Sequence, residues 1–234
     1  MKRTLSSLCV VLLLVGFGLA QQPAAAPAAH AAASPAPSAD AVWADLMAGN
    51  KRFIAGKPSS HALIPLRQKL AAGQNPNVIM LSCSDSRVSP EVIFDQSLGD
   101  LFVIRTAGNI ADKVALGSME YAVAHIHSPV LVVLGHSSCG AVKAACSGDK
   151  MPSANLTAVV DMINPAVAQA KTHAKAGDEL VESAVKENVH QSAKDVLANS
   201  EIIRDAVKSG KLKVFEAEYS LDSGEVVRLT PGQN

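Results

Sequence analysis

Two short stretches hold the residue types from which a reactive site can be built: Cys83-Ser84-Asp85-Ser86-Arg87 and His136-Ser137-Ser138-Cys139-Gly140. Two thiolates and an imidazole form a zinc ligand set, and with a fourth position left to water that set is catalytic rather than structural. A zinc ion lowers the pKa of its water and so creates hydroxide near neutral pH. Because two thiolates cancel the charge of Zn2+, this water is expected to titrate above the roughly 7 reached with three histidines. Asp85 can accept a hydrogen bond from that hydroxide and aim it. Arg87 can hold Asp85 in a bidentate pair that keeps it ionised. Two plainer readings stand beside this one: cysteines that are only small buried hydrophobes, and a disulfide between Cys83 and Cys139. Neither would need an Asp and an Arg at the second and fourth positions after Cys83.

The elements around these stretches explain how they can meet. Each follows an apolar run rich in β-branched residues, Asn77 to Ser82 and Val130 to Gly135. Such runs suit a parallel sheet covered on both faces. Parallel strands of this kind deliver their C-terminal ends to one crevice, where ligands bind. Ser89-Pro90-Glu91 reads as a helix start with Pro at the first helical position. Leu101–Arg105 reads as a strand, Gly108-Asn109 as a turn that lets backbone approach the site closely, and Val114–His125 as a helix. Cys139 opens another helix. Further helices are expected at about Leu156–Lys175 and Asp178–Lys208. Leu212–Tyr219 alternates like an edge strand, turns at Asp222-Ser223-Gly224 and pairs with Glu225–Leu229. Ahead of all this, Ser38 or Asp40 can cap a helix holding Val42, Leu46, Phe53 and Ile54, ended by Gly56 and Pro58. A short helix at Leu63–Ala72 follows. The expected fold is one α/β domain over residues 40–234. It has a central, mostly parallel β-sheet flanked by helices, an N-terminal helical arm, and C-terminal helices plus an edge hairpin.

Residues 1–20 read as a secretory signal peptide: Lys2 and Arg3, an apolar stretch from Leu8 to Leu19, and small residues at Gly18-Leu19-Ala20. The stretch is shorter than the roughly 20 residues that span a bilayer, so cleavage after Ala20 is expected, with no membrane attachment of the mature chain. Residues 21–39, nearly all Ala, Pro, Ser and Gln, read as a linker without core-forming residues. An exported protein, periplasmic or secreted, follows. Its 21 basic and 21 acidic residues balance in the full chain, and losing Lys2 and Arg3 leaves it slightly acidic. Without a basic cluster, nucleic acid is excluded as a partner. The odd count left by export, Cys83, Cys139 and Cys146, makes poor material for a disulfide framework. Cys146 and the histidines His61, His125, His127, His173 and His190 make no zinc spacing with the main site, and packing or surface roles are expected for them.

The pattern Cys83-x-Asp85-x-Arg87 followed by His136-x-x-Cys139 resembles the signature of the β-class carbonic anhydrases. Leu101–Asn109, Ser118–Val123 and Gly135–Val142 resemble that family's other blocks in the same order, and the similarity runs from about Trp43 to about Leu229. The resemblance implies reversible hydration of carbon dioxide to bicarbonate and a proton, one Zn2+ per chain on Cys83, His136 and Cys139, and catalytic roles for Asp85 and Arg87. It also implies that Gln74, Phe102 and Tyr121 line the substrate pocket with Gly108. It implies a homodimer or homotetramer, with Trp43 and Phe53 of the arm as interface anchors. Of two branches, one lets the first motif's Asp close onto zinc as a fourth ligand, beside a Trp three residues before the first cysteine. Here that residue is Met80, and Gln74, Phe102 and Tyr121 match the plant-like branch whose site stays open. Arg105 alone matches the closing branch. Three other functions use the same residues: a zinc hydrolase acting on CS2 or COS, a non-catalytic zinc-binding module, and a thiol redox protein.

Overall fold

The computed structural model describes residues 37–230. The expected signal peptide, most of the linker, Cys9 and His30 lie outside the described residues. Ser38 is the N-cap of α1 (Ala39–Ile54): its hydroxyl accepts the Ala41 N–H at 3.2 Å, satisfying one of the donors that a helix start leaves unpaired. Lys51 and Arg52 fall in the last turn, where the helix dipole favours cations. A second short helix, α2 (Leu63–Leu70), buries no residue.

Five strands make one sheet in the order β2-β1-β3-β4-β5. They are β1 (Val78–Cys83), β2 (Leu101–Thr106), β3 (Val130–His136), β4 (Lys213–Tyr219) and β5 (Val226–Leu229). All neighbours are parallel except β4 and β5. Every residue of β1 and β3 is buried, as continuous apolar runs require, and the two-residue side-chain period divides them between two layers. Ile79, Leu81, Leu131 and Val133 pack with α4 (Lys113–Tyr121), α7 (Asp178–Asn199) and α8 (Glu201–Lys208). Val78, Met80, Val130, Val132 and Leu134 pack with Val42 and Leu46 of α1, with Phe94 after α3 (Pro90–Ile93), and with Phe215. Each large apolar side chain buried in this way contributes about 1.5–3 kcal/mol.

The N-terminal arm is fastened to its own domain. Trp43 stacks on Phe215 with ring centroids 4.9 Å apart, so its indole is committed within the chain. Asn50, 1% exposed, donates to the carbonyls of Ile93 and Gly224 and accepts from the Val226 N–H. One amide thus ties the arm to α3 and to the last hairpin. Asp95 accepts from Arg52 and from the Ser59 amide and hydroxyl. Arg52, the strongest of these influences, holds the Asp95 carboxyl well below the usual carboxylate range.

Three expected elements differ from the structure. Lys213–Tyr219 is not an edge strand. It lies between β3 and β5, and the edges are β2 and β5. Its alternation arises because Phe215, Ala217 and Tyr219 are buried while the residues between them are half covered, which is a matter of faces and not of edges. The single helix expected over Asp178–Lys208 is two, because Ser200 leaves helical geometry and caps α8 with its hydroxyl on the Ile203 N–H. The helix expected to His125 turns at Ala122 into a wider π-type turn through Ile126, closed by His127 in the left-handed region. Among the described residues, no helix is long and apolar enough to cross a membrane.

Candidate metal centre

Cys83 ends β1 and His136 ends β3. Ser82 is level with Leu134 across the parallel pair, so the two side chains emerge next to each other. Cys139 follows three residues later as the N-cap position of α5 (Gly140–Ser147). The Sγ atoms of both cysteines and a ring nitrogen of His136 all lie within 4.8 Å of one another, and all three residues are buried. The sulfurs are 4.0 Å apart, far from the roughly 2.05 Å of a disulfide bond, and both thiols are free. Two sulfurs at a zinc–sulfur distance of about 2.3 Å around a tetrahedral centre would be separated by about 3.8 Å.

The histidine shows which atom faces the centre. His136 Nδ1 lies 3.0 Å from the Ser137 carbonyl oxygen. A carbonyl only accepts, so Nδ1 carries the proton and Nε2 keeps its lone pair. Nε2 is buried and has no hydrogen-bond partner. A cation would satisfy this orphaned buried acceptor beside two thiols, and the donor set, two sulfurs and one nitrogen, suits zinc. The thiols point the same way. Hydrogen bonding from Cys139 pulls Cys83 well below the usual thiol range, against its burial and with help from His136 and the Gly108 amide. Cys139 is pushed up by its hydrogen bond to Cys83 and by burial. The pair thus shares one proton unevenly, and a dication bound between the sulfurs would favour the thiolate form of both.

Asp85 stands over this set. Its Oδ2 is 3.9 Å from His136 Nε2. Arg87 grips it with Nε to Oδ1 at 2.9 Å, Nη2 to Oδ2 at 2.7 Å and its backbone N–H to Oδ1 at 3.0 Å. The guanidinium holds the Asp85 carboxyl far below the usual range, against some desolvation. The loop carrying Asp85 is itself clamped: Arg105 donates from Nε to the Cys83 carbonyl at 3.0 Å and from Nη2 to the Asp85 carbonyl at 2.6 Å. Gly108 approaches as expected, its N–H donating to Cys83 Sγ at 3.3 Å. Its φ is 75°, and a Cβ there would press on Ile163 Cδ1 of α6 (Ala154–Ala170) at 2.7 Å, so any side chain at this position would be strained. Asn109, buried beside it, also has a left-handed φ of 46°.

The sequence profile of the carbonic anhydrase family matches residues 78–226. Carbonic anhydrase 2 of Mycobacterium tuberculosis is 40% identical over 191 residues, covering 80% of this chain and 91% of that protein. The carbonic anhydrase of Mycolicibacterium smegmatis is 37% identical, with 80% and 91% covered. Among solved structures, the β-carbonic anhydrase CcaA superposes with a TM-score of 0.64 at 30% identity, over 83% of this chain and 94% of that one. The Coccomyxa β-carbonic anhydrase in complex with acetazolamide gives 0.64 at 28%, over 82% and 83%. The chain is a β-class carbonic anhydrase.

In this carbonic anhydrase the metal ligands, Asp85, Arg87 and Gly108 come together in one chain, while Gln74, Phe102 and Tyr121 do not join them. Gln74 is exposed in the loop before β1, at the opposite end of that strand from Cys83. Phe102 is level with Ile79, four residues back along the strand and so about 13 Å away. Tyr121 ends α4 and lies against Phe102, ring centroids 6.2 Å apart. His125, with its ring 5.1 Å from that of Tyr121, and His127 are exposed at this far end as well. Cys146 is half-buried on α5 outside the ligand cluster, and its thiol is pushed up by burial.

Sequence reasoning found the helix α7 but missed what it does at the site. Asn188, 1% exposed, donates to the Gly108 carbonyl at 2.7 Å, and Glu182 accepts the Ser138 N–H at 3.0 Å. α7 lies this close because Gly135 has no Cβ: one would meet Val189 Cγ2 at 2.5 Å. The available signal was a polar residue, Asn188, on the same helical face as Val181, Val185 and Val189, where the 3.6-residue period calls for an apolar one.

Proposed function

We propose that this enzyme interconverts carbon dioxide and bicarbonate with one zinc held by Cys83, His136 and Cys139. The buried cluster, with the unpartnered Nε2 of His136 turned towards two sulfurs, carries the assignment. When bound there, zinc supplies Lewis acidity that makes water a nucleophile near neutral pH. The chain supplies direction. Asp85 is an acceptor only, because Arg87 keeps it ionised. It can fix an O–H beside it so that the oxygen lone pair faces the carbon of CO2. Metal analysis of the purified protein together with stopped-flow CO2 hydration tests the reading. One zinc per chain with fast hydration is expected. Zinc with turnover of CS2 or COS but not CO2 would overturn the substrate, and active thiol exchange without metal would overturn the enzyme class.

The open-site reading draws support from the same pair. Both Asp85 oxygens are engaged by Arg87, and Arg105 is spent on backbone carbonyls; these contacts favour Asp85 staying off the metal. A crystal grown near neutral pH with Asp85 on zinc and its Arg87 contact broken would refute it.

Self-association as a dimer or tetramer completes the pocket in this reading. Gln74, Phe102 and Tyr121 lie too far from their own chain's ligands to serve them, so a second copy is the means of using them. The surface around them suits a partner: β2 is an open sheet edge, and Val114 and Tyr121 on α4 are 78% and 51% exposed. The arm residues Trp43 and Phe53, already packed against their own chain, are less suited as anchors. Tetrameric β-carbonic anhydrases of Sordaria macrospora superpose on this chain with a TM-score of 0.65 at 27% identity, covering 83% of this chain and 100% of theirs. Light scattering at micromolar concentration is expected to give at least a dimer, and Tyr121→Glu to dissociate it and lower activity together. A fully active monomer would count decisively against this assembly.

Export to the periplasm or medium is part of the proposal, motivated by Lys2, Arg3 and the apolar stretch up to Leu19. A mature protein whose first residue is Gln21 is the expected result of N-terminal sequencing. A cytoplasmic chain retaining Met1 would contradict it.

A further inference from the structure

We propose that Glu182 is a positioning residue of the metal centre, acting on Cys139 through the Ser138 amide. The inference rests on the zinc assignment above and concerns a residue that touches neither metal nor substrate. Ser138 lies between the two ligands of the second motif and has φ 55°, a left-handed backbone that a side-chain-bearing residue seldom adopts. Its N–H donates to Glu182 Oε1 at 3.0 Å. A carboxylate accepting a backbone N–H makes a charge-assisted bond, stronger than one between neutral groups. The strained residue therefore has an anchor, and the next residue is a ligand.

The anchor comes from a rigid element. α7 is buried over much of its length, including Val181, Ala184, Val185, Asn188 and Val189. It is seated against β3 at Gly135. The same helix holds the other sulfur's loop, since Asn188 fixes the Gly108 carbonyl and the Gly108 N–H donates to Cys83 Sγ. Glu182 and Asn188 are six residues apart, about 9 Å along the helix. One helix thus acts on both cysteine loops, and the 4.0 Å between the sulfurs is set from behind by α7 as well as by the strands. The sharper half of this brace is Glu182, whose bond bears on a backbone that would otherwise relax to a commoner conformation and take Cys139 with it.

Chelator competition on the purified full-length mature protein measures zinc affinity for the wild type, Glu182→Ala, Glu182→Gln and Ser138→Gly/Glu182→Ala. Amide exchange at Ser138 in the zinc-free protein reports the bond directly, and the cobalt-loaded protein's visible spectrum reports ligand geometry. Glu182→Ala is expected to weaken zinc binding roughly 10–100-fold, the usual loss when an outer-shell partner is removed. It should also speed Ser138 exchange and shift the cobalt bands. Glu182→Gln, whose amide oxygen still accepts, should recover most of the loss. Glycine at 138 should recover part of it, since glycine holds a left-handed φ without an anchor. Should the alanine variant not fold, Glu182→Met offers similar volume without an acceptor and replaces it. Wild-type affinity, exchange and spectrum in the alanine or methionine variant would overturn the inference. So would a glutamine variant as weak as the alanine one. A wild type that binds no zinc would instead overturn the metal assignment on which this rests.

Discussion

Cys83→Ser is expected to abolish both zinc retention and CO2 hydration while leaving a folded chain. A serine hydroxyl is not ionised near neutral pH and is a poor substitute for a thiolate in a zinc site that needs deprotonated ligands. Position 83 lies in the fully buried strand β1, so oxygen there cannot recruit solvent to make good the loss. The Gly108 N–H would also lose the sulfur it donates to. Losses should exceed the roughly 100-fold that removal of an outer-shell partner can cost. His136→Ala should behave the same way, since it removes the single nitrogen ligand. Zinc per chain by elemental analysis and hydration by stopped flow are the measurements. Full zinc content with unchanged turnover in either variant would refute the ligand set. Thermal unfolding adds an independent reading: chelator should lower the Tm of the wild type and leave that of Cys83→Ser unchanged, because a ligand stabilises only the state that binds it.

Arg87→Ala should lower kcat/KM by roughly 10²–10³-fold, as loss of an orienting electrostatic contact does, with zinc content retained. The arginine touches no metal ligand directly; its Nε and Nη2 grip Asp85. Without it the carboxylate keeps only the backbone N–H at position 87 and is free to rotate. The pH profile carries the sign. Asp85 is held far below the ordinary carboxylate range chiefly by Arg87, so in the wild type it stays ionised into acid solution. Removing the guanidinium raises its pKa towards the ordinary value, so the Asp85 carboxyl of the variant, followed by infrared spectroscopy, should take up its proton at a higher pH than in the wild type. Arg87→Lys should not rescue, since an ammonium cannot make the two-point contact. An Arg87→Ala enzyme with the wild-type rate and an unmoved Asp85 titration would mean that Asp85 is oriented by something else.

The ligand set was legible because its signal is local: residue types that zinc requires, placed directly after apolar runs of strand length. β1 and β3 were equally plain, since burial on both faces leaves Val78–Leu81 and Val130–Leu134 without polar interruption. What escaped reading depended on neighbours distant in the chain. The place of β4 inside the sheet follows from its pairing with β3, which no pattern within Lys213–Tyr219 encodes. Ser200 reads as an ordinary helical serine until its hydroxyl is seen capping the next helix. Glu182 looks like surface charge on an acidic helix, and only the left-handed turn at Ser138 gives it a task. Resemblance marked Gln74, Phe102 and Tyr121 as pocket residues, but it says nothing about which copy of the chain they serve.

The strand order also bears on when the metal can act. β1 and β3 are neighbours in the sheet, yet the chain between them first lays down β2 on the outer side of β1. Cys83 and Cys139 are 56 residues apart in sequence. Of the three site ligands, an unfolded chain therefore offers zinc only the close pair His136 and Cys139, and the third arrives with long-range parallel pairing, which forms slowly because loop closure must precede it. Zinc would then act as a latch and not a template. It would close on a sheet already assembled, favour the native state more than the unfolded one, and slow unfolding far more than it speeds folding.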